Sequence, residues 1–150
     1  RYFSWQNIGI AIENLWDLNI APRRRYTTTA EELVDLVDTL SKEYNNVGIC
    51  WDFEHADIMK QGQGPALKMI GSRLKATHVS DNIGIQNDHI LPYSGYTDWT
   101  EIMQILKEIK YQGDFTYEIH RYITQLPDAL VVAALKYSVE VGNYLLSLAK

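Results

Sequence analysis

Four residues of this 150-residue chain are of types that could share one metal ion: Glu13, Asp52, His78 and Glu118. Each lies at or near the end of a short apolar run. The runs are Ile8-Gly9-Ile10-Ala11-Ile12-Glu13, Val47-Gly48-Ile49-Cys50-Trp51-Asp52, Lys75-Ala76-Thr77-His78-Val79-Ser80-Asp81 and Asp114-Phe115-Thr116-Tyr117-Glu118-Ile119-His120. Such runs read as buried strands, so each delivers a polar group to one end of a sheet. Three carboxylates and one imidazole make an oxygen-rich donor set that suits Mn²⁺ or Mg²⁺ better than a thiolate-bound structural zinc. Two glutamates on one ion also imply a reaction. The ion polarises a hydroxyl and carbonyl pair, one Glu removes the proton on the carbon between them, and the other delivers it elsewhere. Every member has an ordinary reading as well. An Asp at a strand end commonly caps the next turn, Glu13 can pair with Arg23–Arg25, His78 can be a satisfied core histidine, and Glu118 can balance Arg121. The coincidence of four strand ends favours the ion.

The segments between these strands are helical. Thr29-Ala30-Glu31-Glu32 reads as a capping box, and Leu33, Leu36, Val37 and Leu40 give residues 30–44 an apolar face. A second helix is expected over about 65–74, opened by Pro65. Residues 82–96 form a long loop, a length that is often functional. Asp98 caps a third helix with Ile102, Ile105, Leu106 and Ile109 buried, and Pro127 begins a fourth that runs to about Leu148. The order is βαβαβαβα, which implies parallel strands. Glu13-Asn14-Leu15-Trp16 is no glycine-rich phosphate turn, so a doubly wound sheet fits poorly. Catalytic groups at several strand ends are the habit of a (βα)₈ TIM barrel, which takes about 250 residues. This α/β chain therefore reads as about the last four βα units of one.

Composition narrows the classes. An apolar content of 46% is globular, and no run of eighteen apolar residues marks a transmembrane helix, so no membrane partner is expected. The net charge of −5 disfavours nucleic acid. The one cysteine, Cys50, fits a reduced, cytoplasmic setting. The chain does not open on Met, and the expectation is that Arg1 is not the natural beginning.

The chain resembles the C-terminal half of the sugar phosphate isomerase/epimerase family, the xylose-isomerase-like barrels that include endonuclease IV. The resemblance rests on Ile10-Ala11-Ile12-Glu13-Asn14, Gly48-Ile49-Cys50-Trp51-Asp52-x-x-His55-Ala56, Ala76-Thr77-His78-Val79-Ser80-Asp81 and Asp88-His89-x-x-Pro92-x-x-Gly95. Asp98-Trp99 and Tyr111-x-Gly113-x-Phe115-x-x-Glu118-Ile119 complete it. It implies one divalent ion (Mn²⁺ foremost; Mg²⁺, Co²⁺ or Zn²⁺ otherwise) on Glu13, Asp52, His78 and Glu118. It also implies Glu13 and Glu118 as the catalytic acid/base pair and His55 in contact with substrate. Asn19 and Gly84 stand where ketose 3-epimerases carry a further Glu and an Arg, and Asn87 stands where endonuclease IV has an Asp ligand.

Just beyond the strand ends, Trp16, Trp51, His55 and His89 suit the walls of a polyol pocket, with His55 the strongest member. Trp51 is the weakest, because a neighbour of an inward Asp52 points away. The expected function is metal-dependent isomerisation or epimerisation of a small sugar or sugar-like polyol. An abasic-site endonuclease and a catalytically inactive sugar-binding fragment are the alternatives. The expected partner is a missing N-terminal half of the barrel or a homodimer mate. Alternate residues Ile8, Ile10, Ile12, Phe115, Tyr117 and Ile119 are expected to line the seam that partner covers.

Overall fold

The computed structural model describes residues 8–17, 25–84 and 88–149. Asn19, Arg23, Arg24 and Asn87, used in the sequence reading, lie outside them. The elements are β1 (Ile10–Glu13), α1 (Ala30–Ser41), β2 (Val47–Asp52), α2 (Phe53–Ile58), α3 (Gln63–Ile70) running into a 3₁₀ turn (Gly71–Arg73), β3 (Leu74–Val79), α4 (Trp99–Glu108), β4 (Asp114–Tyr117), α5 (His120–Thr124) and α6 (Asp128–Leu148). The four strands are parallel and ordered β1-β2-β3-β4. A doubly wound sheet would reverse that order at its ligand crevice. Here every strand lies beside the next, and α1, α3, α4 and α6 touch in succession. That is the arrangement of half a (βα)₈ barrel.

The period of two along each strand decides what goes where. Ile12, Ile49, Trp51, Val79, Phe115 and Tyr117 face the helices and join Leu33, Leu67, Ile70, Ile102 and Leu145 in the core. The opposite face carries Ala11 and Glu13, Cys50 and Asp52, Ala76 and His78, then Thr116 and Glu118. This corrects the expectation of an apolar seam. Ile12, Phe115, Tyr117 and Ile119 have the opposite parity to Glu13 and Glu118, so they pack into the helix-side core. Ile8 and Ile10 remain exposed. β3 carries a bulge, since Ile49 pairs with Leu74 and Cys50 with Ala76. The extra residue, Lys75, lies over Gly48, where a Cβ would collide with its Cγ.

Two helices escaped the sequence reading because each is under two turns long: α2 follows Asp52 directly, and α5 begins at His120. The capping box is present in shifted form. Thr29 Oγ1 accepts from the Glu32 N–H, but the Glu32 carboxylate accepts from Thr28 rather than Thr29. α6 is long and apolar enough by composition to cross a membrane. Here it docks through Ala134, Ser138, Val141 and Leu145, and Tyr117 donates to the Ser138 carbonyl at 2.9 Å. Leu135, Val139 and Leu146 stay exposed.

The long loop after β3 is folded around one buried carboxylate. Asp81 accepts from the backbone N–H groups of Asn82, Tyr93 and Thr97 and from Trp99 Nε1, at 2.9–3.1 Å. Its own backbone pairs with Ile90. Gly95 passes so close that a Cβ there would collide with Asp81 Oδ1. Removing a buried, hydrogen-bonded charge leaves several donors unpaired at once. Asp81→Ala is expected to lower the unfolding free energy of the intact protein by about 3 kcal/mol or more, read as a shift in the denaturant midpoint. An unchanged midpoint would show that the loop does not depend on this residue.

Candidate metal centre

β1, β2 and β3 run in parallel register, with Glu13 opposite Cys50 and Asp52 opposite His78. Glu118 stands one residue past β4 and extends the ladder by donating its N–H to the Val79 carbonyl at 3.0 Å. The inward parity and common strand direction bring all four side chains to one end of the sheet. Their donor atoms lie within 4.8 Å of one another. His78 Nδ1 is 2.8 Å from Glu13 Oε1, 3.2 Å from Glu118 Oε2 and 4.0 Å from Asp52 Oδ2.

Two of these atoms argue that the set is built for a cation. Asp52 Oδ2 and Glu118 Oε2 are buried and lack a hydrogen-bond partner, an arrangement native proteins keep only for a reason. Asp52 splits its two oxygens. Oδ1 caps α2 by accepting the His55 N–H at 2.7 Å, while Oδ2 is left for the site. Burial, with Glu13, Glu118 and Glu54 nearby, pushes the Asp52 carboxyl well above its usual range despite that bond. His78 is pushed up to about 11 by the adjoining Cys50 sulfur and by Glu13. Burial pushes Glu13 up, but its contacts with His78 and the neighbouring histidines outweigh that and hold it below the usual range. A protonated His78 is thus the positive partner of the carboxylates when no ion is bound.

The proposed substrate residues divide. His55 sits beside the cluster, with Nδ1 3.6 Å from both Glu13 Oε1 and Asp52 Oδ2. Its Nδ1 also donates to the Asn14 carbonyl at 2.9 Å, and burial lowers its pKa, so the ring is neutral with a free Nε2. Trp16 leans over it, ring centroids 6.5 Å apart. His89 comes from the long loop, buried, with a left-handed φ of 46°. Trp51 is fully buried on the helix side and donates Nε1 to Gln63 Oε1 at 3.0 Å. It is core and takes no part in the site.

Three contributors had no role in the sequence reading. Asn14 grips both backbone groups of Asp52, accepting from its N–H at 2.6 Å and donating to its carbonyl at 2.9 Å. It prolongs the β1–β2 pairing beyond the last strand residue, and its position directly after Glu13 was the available signal. Glu54 is wholly buried and accepts from Ser80 Oγ and from the backbone N–H groups of Asp88 and His89. Nothing in Asp-Phe-Glu-His marks the middle Glu as buried. His120 opens α5 two residues after Glu118, and its ring lies 4.1 Å from that of His89.

This is a half barrel with a cluster of four candidate metal ligands at the C-terminal ends of its strands. The profile of the xylose isomerase-like TIM barrel family matches residues 2–139, and the chain belongs to that family. It is 35% identical over 85 residues to the D-psicose 3-epimerase of Enterocloster bolteae, a match covering 57% of this chain and 26% of that protein. It is 32% identical over 122 residues to the uncharacterised protein y4fM of Sinorhizobium fredii, covering 79% of this chain and 36% of that one. Among solved structures, the zinc-bound IOLI protein superposes with a TM-score of 0.76 at 20% identity, over 99% of this chain and 52% of that one. A D-psicose 3-epimerase studied with D-fructose superposes at 0.74 and 20%, over 95% and 51%. These structural likenesses concern the fold. The chain spans about half the length of the structures it matches and less of the sequence relatives.

Because the cluster raises the His78 pKa, an ion entering it competes with the His78 proton. Affinity for Mn²⁺ is expected to fall about tenfold per pH unit as pH drops from 8 to 6. Calorimetric titration in buffers of different ionisation enthalpy should show about one proton released per ion. A pH-independent affinity would place the ion elsewhere.

Proposed function

We propose that this chain is the C-terminal half of the barrel of a metal-dependent sugar isomerase or epimerase, acting by proton transfer between Glu13 and Glu118. The observation that carries the reading is the pair of glutamates in one ligand cluster, flanking His78 at 2.8 and 3.2 Å. The D-psicose 3-epimerase relative supports the substrate class. A divalent ion held by Glu13, Asp52, His78 and Glu118 would supply polarisation of adjacent hydroxyl and carbonyl oxygens. The harder, oxygen-rich set favours Mn²⁺.

The chain's own residues do the rest. Glu13 and Glu118, both partly open to solvent, stand on opposite sides of the cluster. One can take a proton from carbon while the other returns one. The Asn14 carbonyl holds the neutral His55 ring and Asp52 holds the His55 backbone N–H, so the free Nε2 can bond a sugar hydroxyl. Trp16 offers an apolar face to the carbon skeleton. β1 and β4 are the outer strands of the sheet, and the exposed apolar stripe of α6 lies at its β4 end. In this reading an N-terminal half closes against them, and a second copy is the other candidate for that place.

Loaded with Mn²⁺ and incubated with ketohexoses in D₂O, the intact protein is expected to incorporate deuterium at the carbon next to the carbonyl. Glu13→Gln and Glu118→Gln should each slow the exchange about 100-fold or more, as followed by NMR. If no ketose or aldose exchanges, the proposal fails. His55→Ala is expected to raise KM about tenfold with a smaller change in kcat, since it removes one hydrogen bond to substrate. Unaltered steady-state kinetics for every sugar turned over would remove His55 from the pocket.

A further inference from the structure

Glu118 is the one member of the cluster that stands outside a strand, since β4 ends at Tyr117. Both of its backbone groups are pinned all the same. Its N–H donates to the Val79 carbonyl, and its carbonyl lies 3.0 Å from His89 Nδ1. A carbonyl only accepts, so Nδ1 carries the proton and donates it. His89 in turn is held by Glu54, whose two oxygens lie 3.0 and 3.2 Å from the His89 backbone N–H. We propose that Glu54 is a positioning residue for Glu118, acting through His89. The inference rests on the metal-centre reading, because it concerns how firmly Glu118 is presented to an ion.

The partners of Glu54 explain why a carboxylate stands there. The residue is wholly buried, and a carboxylate withdrawn from water is costly unless donors surround it. Three do: Ser80 Oγ at 2.7 Å and the backbone N–H groups of Asp88 and His89. Two of the three belong to the loop that carries His89. That residue adopts a left-handed φ of 46°, a conformation that a residue with a side chain keeps only where its surroundings fix it. Glu54 fixes it at the N–H, and the Tyr122 N–H fixes it at the carbonyl, at 3.3 Å. The ring is then aimed at Glu118.

Asp52 is served in the same way, by one side chain instead of a relay. Asn14 clasps its N–H and its carbonyl together. At Glu118 the task is divided: β3 takes the N–H, and Glu54, by way of His89, secures the carbonyl. Released from His89, Glu118 keeps the Val79 bond alone. Its side chain then loses the fixed approach that sets Oε2 3.2 Å from His78. What this asks of residue 54 is reach into the loop; its charge is secondary.

Two variants of the intact protein separate reach from charge. Glu54→Gln keeps the length and an oxygen for the loop N–H groups, and its amide can donate to Ser80 Oγ. Glu54→Asp keeps the charge and falls one methylene short of the loop. Calorimetry reads Mn²⁺ affinity for each, alone and combined with Glu118→Gln. Residues that act as one unit are non-additive, so Glu54→Asp is expected to lower affinity about tenfold with Glu118 present and at most about twofold in Glu118→Gln. Glu54→Gln is expected to stay within about twofold of the unaltered protein. His89→Ala removes the ring and leaves Glu54 in place, and it should repeat the Glu54→Asp pattern, which keeps the test open if Glu54→Asp does not fold. An equal loss in both backgrounds, no loss at all, or a Glu54→Gln as damaging as Glu54→Asp overturns the proposal and leaves the metal centre standing. No Mn²⁺ bound by the unaltered protein overturns both.

Discussion

A carboxylate withdrawn from water with one oxygen unbonded is costly, and the end of this half barrel is arranged around one. Asp52 closes β2, caps α2 with Oδ1 and leaves Oδ2 bare among Glu13, Glu118 and His78. Three other contacts exist to hold it there. Asn14 clasps its backbone, His55 donates the capping N–H, and His78 pairs with it across the sheet. Desolvation disfavours the ionised form, so the free site leans on the His78 proton. In the proposed metal centre, occupancy by a cation and the integrity of the strand ends would therefore be linked.

The cap reading of Asp52, which looked in the sequence like the alternative to a ligand role, does not exclude one, because the cap takes only Oδ1. A carboxylate has two oxygens, and Asp52 uses them for different ends. What could be read beforehand was what depends on period and type: four strands, the larger helices with their apolar faces, the turn toward a barrel, and the four polar residues of one parity. The same parity rule was misapplied at the seam, where the isoleucines of β1 were placed on the face that belongs to Glu13. Short helices were missed because one turn carries no periodicity to detect.

The buried polar residues were the least legible. Glu54 and Asp81 are fixed by backbone N–H groups that arrive from distant loop residues, up to 35 positions away. No local pattern announces such a partner. Both carboxylates shape the same loop from two sides, Asp81 at Tyr93 and Thr97 and Glu54 at Asp88 and His89. The position of His89 beside Glu118 is a product of that double grip, even though its own backbone adopts a left-handed conformation.

The inner face beneath the cluster is made of small side chains: Ala11, Cys50, Ala76 and Thr116, with Gly48 under the stem of Lys75. A barrel interior is filled by layers to which opposite strands contribute alternately. A half that supplies little bulk leaves the volume to whatever faces it, and the two sides become a lock and its blank. Enlarging Ala11 or Ala76 would then be tolerated only alongside a matching reduction across the axis. In the proposed full barrel, the shape of the facing half would thus be written, in negative, on this face.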